Sequence, residues 1–277
     1  MKKIGFIALL WLFSACTPKH TVVVPETDAF RVMPASFPRH VLIEYAQNEN
    51  NADCPEAMLA LNEFESEFGN RLSLAAFHVT DWLEIPFSTS IAGQLGGLAS
   101  IPRASFNRMT GDNTLNQLDD NVVWLSQANW YNHVQKAFKS TASLSIALQT
   151  SIQADTTASA TIYIAHKEVT ESSLRVMLYL MEDDLQSIQQ QGADSSFRHQ
   201  HVIRDVITDY EGDAVQLSNT DSNGTIDKIQ YTNIPLTGLQ LFNTRLIAFV
   251  YHYDSDFRKR HILNVQEVKL GGNKYWD

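Results

Sequence analysis

Residues 40–69 read HVLIEYAQNENNADCPEAMLALNEFESEFG, and the rest of the chain is organised around them. Val41, Leu42, Ile43 and Tyr45 form an apolar run of strand length, which gives way to a polar loop. Cys54-Pro55 then opens an amphipathic helix with Met58, Leu59, Leu61, Phe64 and Phe68 on its apolar side. A dithiol C-x-x-C at such a loop-helix junction would mark a redox site. Here its first position is Asn51, so only Cys54 remains of the pair.

The chain has 277 residues, length for two domains, and 44% hydrophobic with 19% charged residues suits a soluble, core-forming protein. Residues 1–15 carry Lys2-Lys3, an apolar run from Ile4 to Phe13 and Ser14-Ala15 before Cys16, the pattern of a processed leader. Leu12 to Cys16 resembles a bacterial lipobox with Phe13 where Leu is usual, which predicts that Cys16 becomes the acylated first residue. Loss of the leader removes two lysines from a chain of net charge −10, and the acidic remainder disfavours nucleic acid or anionic headgroups as partners. No later segment offers the ~18 apolar residues of a membrane span, so a lipid is the expected membrane attachment. Thr17 rather than Asp follows Cys16, which by the bacterial sorting rule predicts delivery to the outer membrane. Residues 16–37, with Pro18, Pro25 and Pro34, read as a tether.

Beyond the first helix, Leu72 to Val79 reads as a second strand, completing a strand-helix-strand unit that favours a parallel pair. A helix is expected over Phe87 to Leu95. Ile101-Pro102 then stands where a thioredoxin-like fold places a cis-proline opening the strand that faces its C-x-x-C loop. A further helix is expected from Asn121 to Ser140, its aromatic residues packing on the sheet. After residue 140 the period becomes alternating, with strands at 144–149, 158–165, 174–180, 226–232, 239–253 and 260–270. The expected fold is therefore α/β plus all-β: a thioredoxin-like domain over 38–140, then an antiparallel β-sandwich over 141–277.

These parts and their local wording resemble the outer membrane protein twenty-eight-related lipoproteins, which join a thioredoxin-like domain to a β-sandwich. The resemblance spans about residues 38–270. It rests on VLIEYA, Cys54-Pro55, LSLAAFHV and Ile101-Pro102 followed by Asn107-Arg108. Further along it rests on Leu180 to Asp183 with Gln189 to Gln191, on His199 to Arg204 and on Leu246 to Val250. This chain departs from the family at Asn50-Asn51, where Trp-Cys is frequent. The resemblance implies an envelope location and this architecture rather than an activity.

Three candidate sites remain. Cys54 lacks a resolving partner once Cys16 is acylated, and Asp53 beside it raises a thiol pKa, so a structural role outweighs a single-thiol redox or chaperone-like one. His199 and His201, two apart on an expected strand, share a face and with His252 and His261 could surround a metal; bonding to backbone or acids such as Asp205 is the plainer expectation. Asn219, Asp221, Asn223 and Asp227 imitate a calcium loop, which would suit a calcium-stabilised adhesin-type module. Gln230 stands where the loop needs a bidentate Glu, and a polar hairpin turn is the simpler reading. No hydrolase, phosphate-loop or dinucleotide motif is present. The expectation is a non-enzymatic, lipid-anchored outer-membrane protein, without cofactor, that binds or assembles with an envelope partner or ligand.

Overall fold

The computed structural model describes residues 28–111, 121–153, 156–169, 172–220 and 222–277. The leader, Cys16, most of the tether and Asp221 lie outside the described residues. The first segment holds β1 (Val41–Gln47), α1 (Cys54–Phe68), β2 (Leu72–His78), α2 (Pro86–Gln94), β3 (Arg103–Phe106) and α3 (Trp130–Lys139). Pro55 and Glu56 in its first turn suit α1 to its start, and Gly69, at φ 59°, ends it. β1 and β2 pair parallel from Val41↔Leu72 to Gln47↔His78, while β3 runs antiparallel to β1 after a cis Ile101-Pro102 bond.

The helix expected over 121–140 forms only in its second half. Leu125 instead makes an antiparallel bridge to Ala104, with both backbone N–H···O bonds in place, and α3 starts at Trp130. Val123, Trp124 and Leu125 are buried by extending the sheet edge, so their apolar spacing served a strand contact that helical periodicity imitates.

The second segment adds β4 (Leu144–Gln153), β5 (Thr157–His166), β6 (Leu174–Glu182), β7 (Leu185–Gln186), β8 (Arg198–His199), β9 (Val202–Val206), β10 (Asp213–Val215), β11 (Thr225–Pro235), β12 (Thr244–His252), β13 (Ile262–Lys269) and β14 (Asn273–Lys274). Its strands do not form a closed unit of their own. One sheet runs β13-β12-β6-β9-β2-β1-β3, with β10 following β9 along β6, and crosses the boundary expected near residue 140. The crossing is narrow: β2 and β9 pair at Ala76↔Val202, and the Ala76 N–H donates to the His201 carbonyl at 2.7 Å. A second sheet, β11-β5-β4-β14, stacks on the β6-β12-β13 end of the first.

The large sheet is covered on both faces. On one face α1 and α3 bury Leu61, Phe64, Trp130 and Val134 against β1 and β2, while the small sheet buries Ile146, Leu148 and Ile162 against β6 and β12. On the other, Phe87 and Ile91 of α2 join Leu42, Phe77, Met177, Tyr179, Phe249 and Tyr251. Residues 176, 178 and 180 of β6 thus enter one core and residues 177, 179 and 181 the other. That is why β6 and β12 read as nearly unbroken apolar runs.

Candidate functional site

Parallel β1 and β2 end side by side at Gln47 and His78, and the loops leaving their carboxyl ends carry the polar residues expected to matter. Asn51, Cys54 and Pro102 do converge here. The Asn51 side chain donates from Nδ2 to the Ile101 carbonyl at 2.9 Å, beside the cis bond to Pro102, and its Oδ1 accepts from the Asp53 N–H at 2.9 Å. Asn51 thereby ties the loop to the segment that leads into β3. Cys54 is a free cysteine, only 2% exposed. Burial pushes its thiol up to about 11, the Asp53 and Asp81 charges push the same way, and a backbone hydrogen bond from Asn48 opposes them only in part. A thiol so placed is almost wholly protonated at neutral pH.

A strap from the second segment closes the loop. The Gln191 N–H donates to the Glu49 carbonyl at 2.8 Å, Gln190 Nε2 donates to the Asn51 carbonyl at 3.1 Å, and the Ser187 hydroxyl bonds the Glu49 carboxylate. Gly192, at φ +79°, lies so close that a Cβ there would overlap the Ala52 carbonyl oxygen. Sequence reasoning noticed Gln189 to Gln191 only as wording shared with a family; nothing in their pattern announces the bond from Gln190 to Asn51, 139 residues away.

Behind the strap lies a buried polar cluster that sequence reasoning did not assemble. His78 bonds Asp81 Oδ2 through Nδ1 at 2.7 Å and Gln47 Nε2 through Nε2 at 3.0 Å. The ring is thereby held from both sides, by the Asp81 carboxylate and by the Gln47 amide. Burial pushes the Asp81 carboxyl up, but hydrogen bonds from His78, Leu83 and Glu49 outweigh it and hold it below the usual range. His199 is fully buried with its ring edge-on to His78 at 4.6 Å. Its Nε2 is 3.8 Å from Glu49 Oε1, too long for a hydrogen bond, and neither ring nitrogen has a partner. Burial first, then His78, pushes its pKa down to about 4.

The histidines do not gather as the two-residue spacing suggested. β8 ends at His199 and β9 begins at Val202, while His201, at φ 58°, occupies the turn between them. His201 therefore faces Glu65 and Asp183, each 3.8 Å away, and not His199's neighbours. His252 and His261 bond the Ser172 and Lys259 carbonyls, and Asp205 accepts from the neighbouring Val206 N–H. Among the described residues, no group of three or more His, Cys, Asp or Glu is arranged to hold a metal.

Of the calcium-loop residues, Asp227 sits on β11 with its carboxylate taken up by His166 Nε2 at 2.8 Å, the Ser218 hydroxyl at 2.6 Å and the Ser218 N–H at 3.0 Å. Asn219 contributes its carbonyl to the Thr225 hydroxyl at 3.4 Å. Asn223 lies in the exposed turn before β11, and Asp221 is outside the described residues. The hairpin turn expected here is not formed: the chain passes from β10, which pairs with β6 in the large sheet, to β11, which pairs with β5 in the small one.

The family model described as outer membrane protein Omp28 matches residues 94–274. The chain belongs to the Omp28 family. The matched region begins at the end of α2, so it takes in the strap and the second segment but leaves out Asn51 and Cys54. Among solved structures, HBP35 of Porphyromonas gingivalis is similar at TM-score 0.70 and 23% identity, covering 86% of this chain and 77% of that one. A structural-genomics target, protein AGR_C_4864 from Agrobacterium tumefaciens, is similar at TM-score 0.58 and 14% identity, over 86% and 97%. At these identities the likeness is one of fold. A domain of the outer membrane lipoprotein Omp28 from Porphyromonas gingivalis also matches, at 20% identity and TM-score 0.31, over 47% of this chain and 89% of that one. Among curated proteins none matches. Omp28 membership makes this an envelope-associated protein, and no described helix is long and apolar enough to cross a membrane.

Proposed function

We propose that this Omp28 protein is a lipid-anchored, non-catalytic binding or assembly protein of the outer membrane, held to the bilayer through Cys16. In this reading residues 38–140 are a thioredoxin-like frame and residues 141–277 a β-sandwich grafted onto its sheet. The supporting observation is the closed loop: Asn51 holds the Ile101 carbonyl, the 187–192 strap covers the loop, and Cys54 lies buried with its thiol pushed up to about 11. A disulfide-exchange enzyme needs an exposed, low-pKa attacking thiolate and a backbone open to its substrate. Both are withheld here, which also weighs against a role for Cys54 as a single thiol.

Two measurements test the reading. The mature protein is expected to reduce insulin disulfides no faster than its Cys54→Ala variant; turnover that depends on Cys54 would overturn the non-catalytic role. Radiolabelled palmitate is expected to enter the wild-type protein and not Cys16→Ser, with the label in outer-membrane fractions. Equal labelling of both would overturn the anchor.

A further inference from the structure

The strap belongs to a hairpin that carries little support of its own. β7 and β8 pair only at Leu185↔His199 and Gln186↔Arg198 and form a two-stranded sheet separate from the other two. A hairpin so short is not stable by itself in water, so its contacts with the surrounding chain hold it down. Leu185 packs on Leu83 and Val202, and Glu49 gathers the polar contacts. The Glu49 carboxylate bonds the Ser187 hydroxyl, its carbonyl accepts from the Gln191 N–H, and its own N–H donates to Asp81 Oδ2 at 3.0 Å.

The seam beneath the hairpin is incompletely satisfied. Asn48 Oδ1, Gln190 Oε1 and both ring nitrogens of His199 are buried there without a hydrogen-bond partner. Buried polar atoms are rarely left so, and water would satisfy all four once the hairpin lifted. Each withheld bond narrows the margin by which the hairpin stays closed. His199 also ties that margin to pH, because it lies on the hairpin itself. Its ring meets His78 of β2, Glu49 of the loop after β1 and Phe197 of the hairpin, and the Asp81 charge of the loop after β2 acts on it as well. The two carboxylates favour a proton on the ring, but burial and His78 outweigh them and keep it neutral down to about pH 4. Lifting carries the ring into water, where an imidazole takes up its proton at about pH 6.5.

We propose that residues 185–199 are an acid-released latch: a proton on His199 lifts the hairpin from Glu49 and uncovers residues 48–54 to a binding partner. The closed form is fully favoured above about pH 6.5 and loses ground as the pH falls towards 4, because only the lifted form accepts the extra proton in that window. Cys54 stays protonated in acid, so release offers a surface and not a nucleophile. What the uncovered loop serves rests on the binding role proposed above. The release itself does not, and neither insulin turnover nor a failure of palmitate labelling bears on it.

The test is hydrogen exchange of the full mature protein in detergent at pH 7 and pH 5, read by mass spectrometry on peptides spanning residues 187–192, β6 and β12. Rates are corrected for the intrinsic effect of pH and followed as urea is raised below the unfolding range. Exchange of the strap amides is expected to be insensitive to urea, the mark of local opening. Their opening is expected to rise about twentyfold from pH 7 to pH 5, the ratio set by a His199 pKa of about 4 closed and about 6.5 lifted. His199→Phe, which keeps a ring beside His78, is expected to abolish the rise. Glu49→Gln, which keeps an acceptor for Ser187, is expected to retain it. The proposal fails if the strap amides exchange only with the urea dependence of β6 and β12, or if their opening does not rise in acid. It fails equally if the rise survives His199→Phe or is removed by Glu49→Gln, which would make the carboxylate the titrating group.

Discussion

Burial acts on Cys54 and His199 in opposite directions but to the same end, keeping the thiol protonated and the imidazole neutral. With its thiol at about 11, roughly one molecule in a thousand carries the Cys54 thiolate at pH 8, and burial slows reaction further. An aromatic disulfide reagent at pH 8 is therefore expected to label Cys54 at least a hundredfold more slowly in the native protein than in urea, and equal rates would sink the closed-loop description. For His199 the sign follows from its depressed pKa, about 4 in the fold against about 6.5 in an unfolded chain. Between those values the unfolded chain binds the extra proton, so stability is fully present above about pH 6.5 and falls as the pH drops towards 4. The shift corresponds to an upper limit of about 3 kcal/mol, and His201, depressed mainly by its own burial, acts in the same direction. Urea unfolding at pH 7 and pH 5 should show His199→Phe losing much of the wild-type difference; an unchanged difference would place the titration elsewhere.

At the scale of elements, the strap is the device that decides whether the loop is a site or a scaffold. Gly192→Ala places a Cβ into the Ala52 carbonyl at a positive φ, and both faults are expected to cost about 1–3 kcal/mol. The strap can meet that cost by lifting, so Cys54 labelling is expected to accelerate in Gly192→Ala well before global unfolding, read by labelling rate at several urea concentrations. Labelling that only follows global unfolding would mean that the strap covers nothing. The strap also marks where sequence reasoning stops. Local signals sufficed for β1, α1, β2 and α2 and for the principal strands after residue 140, because each is written in periodicity and turn residues nearby, whereas the cis Ile101-Pro102 bond follows only from its place in a thioredoxin-like order of elements. The Asn51 to Ile101 bond, the Gln190 contact and the His78–His199 pair join residues distant in sequence, and no local pattern encodes them. His201 illustrates the smaller failure: one left-handed residue in an otherwise extended run sends two histidines to different neighbours, and alternation alone cannot reveal it. β6 and β12 illustrate the converse, since runs expected in a two-sheet sandwich are apolar on both sides for a different reason, as the central strands of a layered molecule.

Across the whole molecule, the narrow backbone junction of β2 and β9 is reinforced by one buried polar assembly. Glu44 of β1 takes hydrogen bonds from Arg108 Nε at 2.9 Å, Arg108 Nη2 at 2.8 Å and the Tyr179 hydroxyl of β6 at 2.7 Å, while the guanidinium lies over Phe249 and Tyr251 of β12. Glu44 and Arg108 are each 1% exposed, so their charges depend on one another and not on water. Arg108→Met strands the Glu44 carboxylate in the core and is expected to cost about 3–5 kcal/mol. Adding Glu44→Leu removes the orphaned charge and should recover a large part of that loss, although Tyr179 then lacks its acceptor. The assembly bonds the first segment to β6 and stacks on β12, so the loss belongs to both segments at once. Native-state hydrogen exchange should therefore show amides of β2 and of β12 losing protection together and by similar free energies in Arg108→Met. A variant in which only the β1-β2-β3 end opens, with β12 as protected as before, would mean that the shared sheet is two independent units in contact. Joint loss would mean that residues 38–140 and 141–277 stand or fall as one structure, because one sheet runs through both.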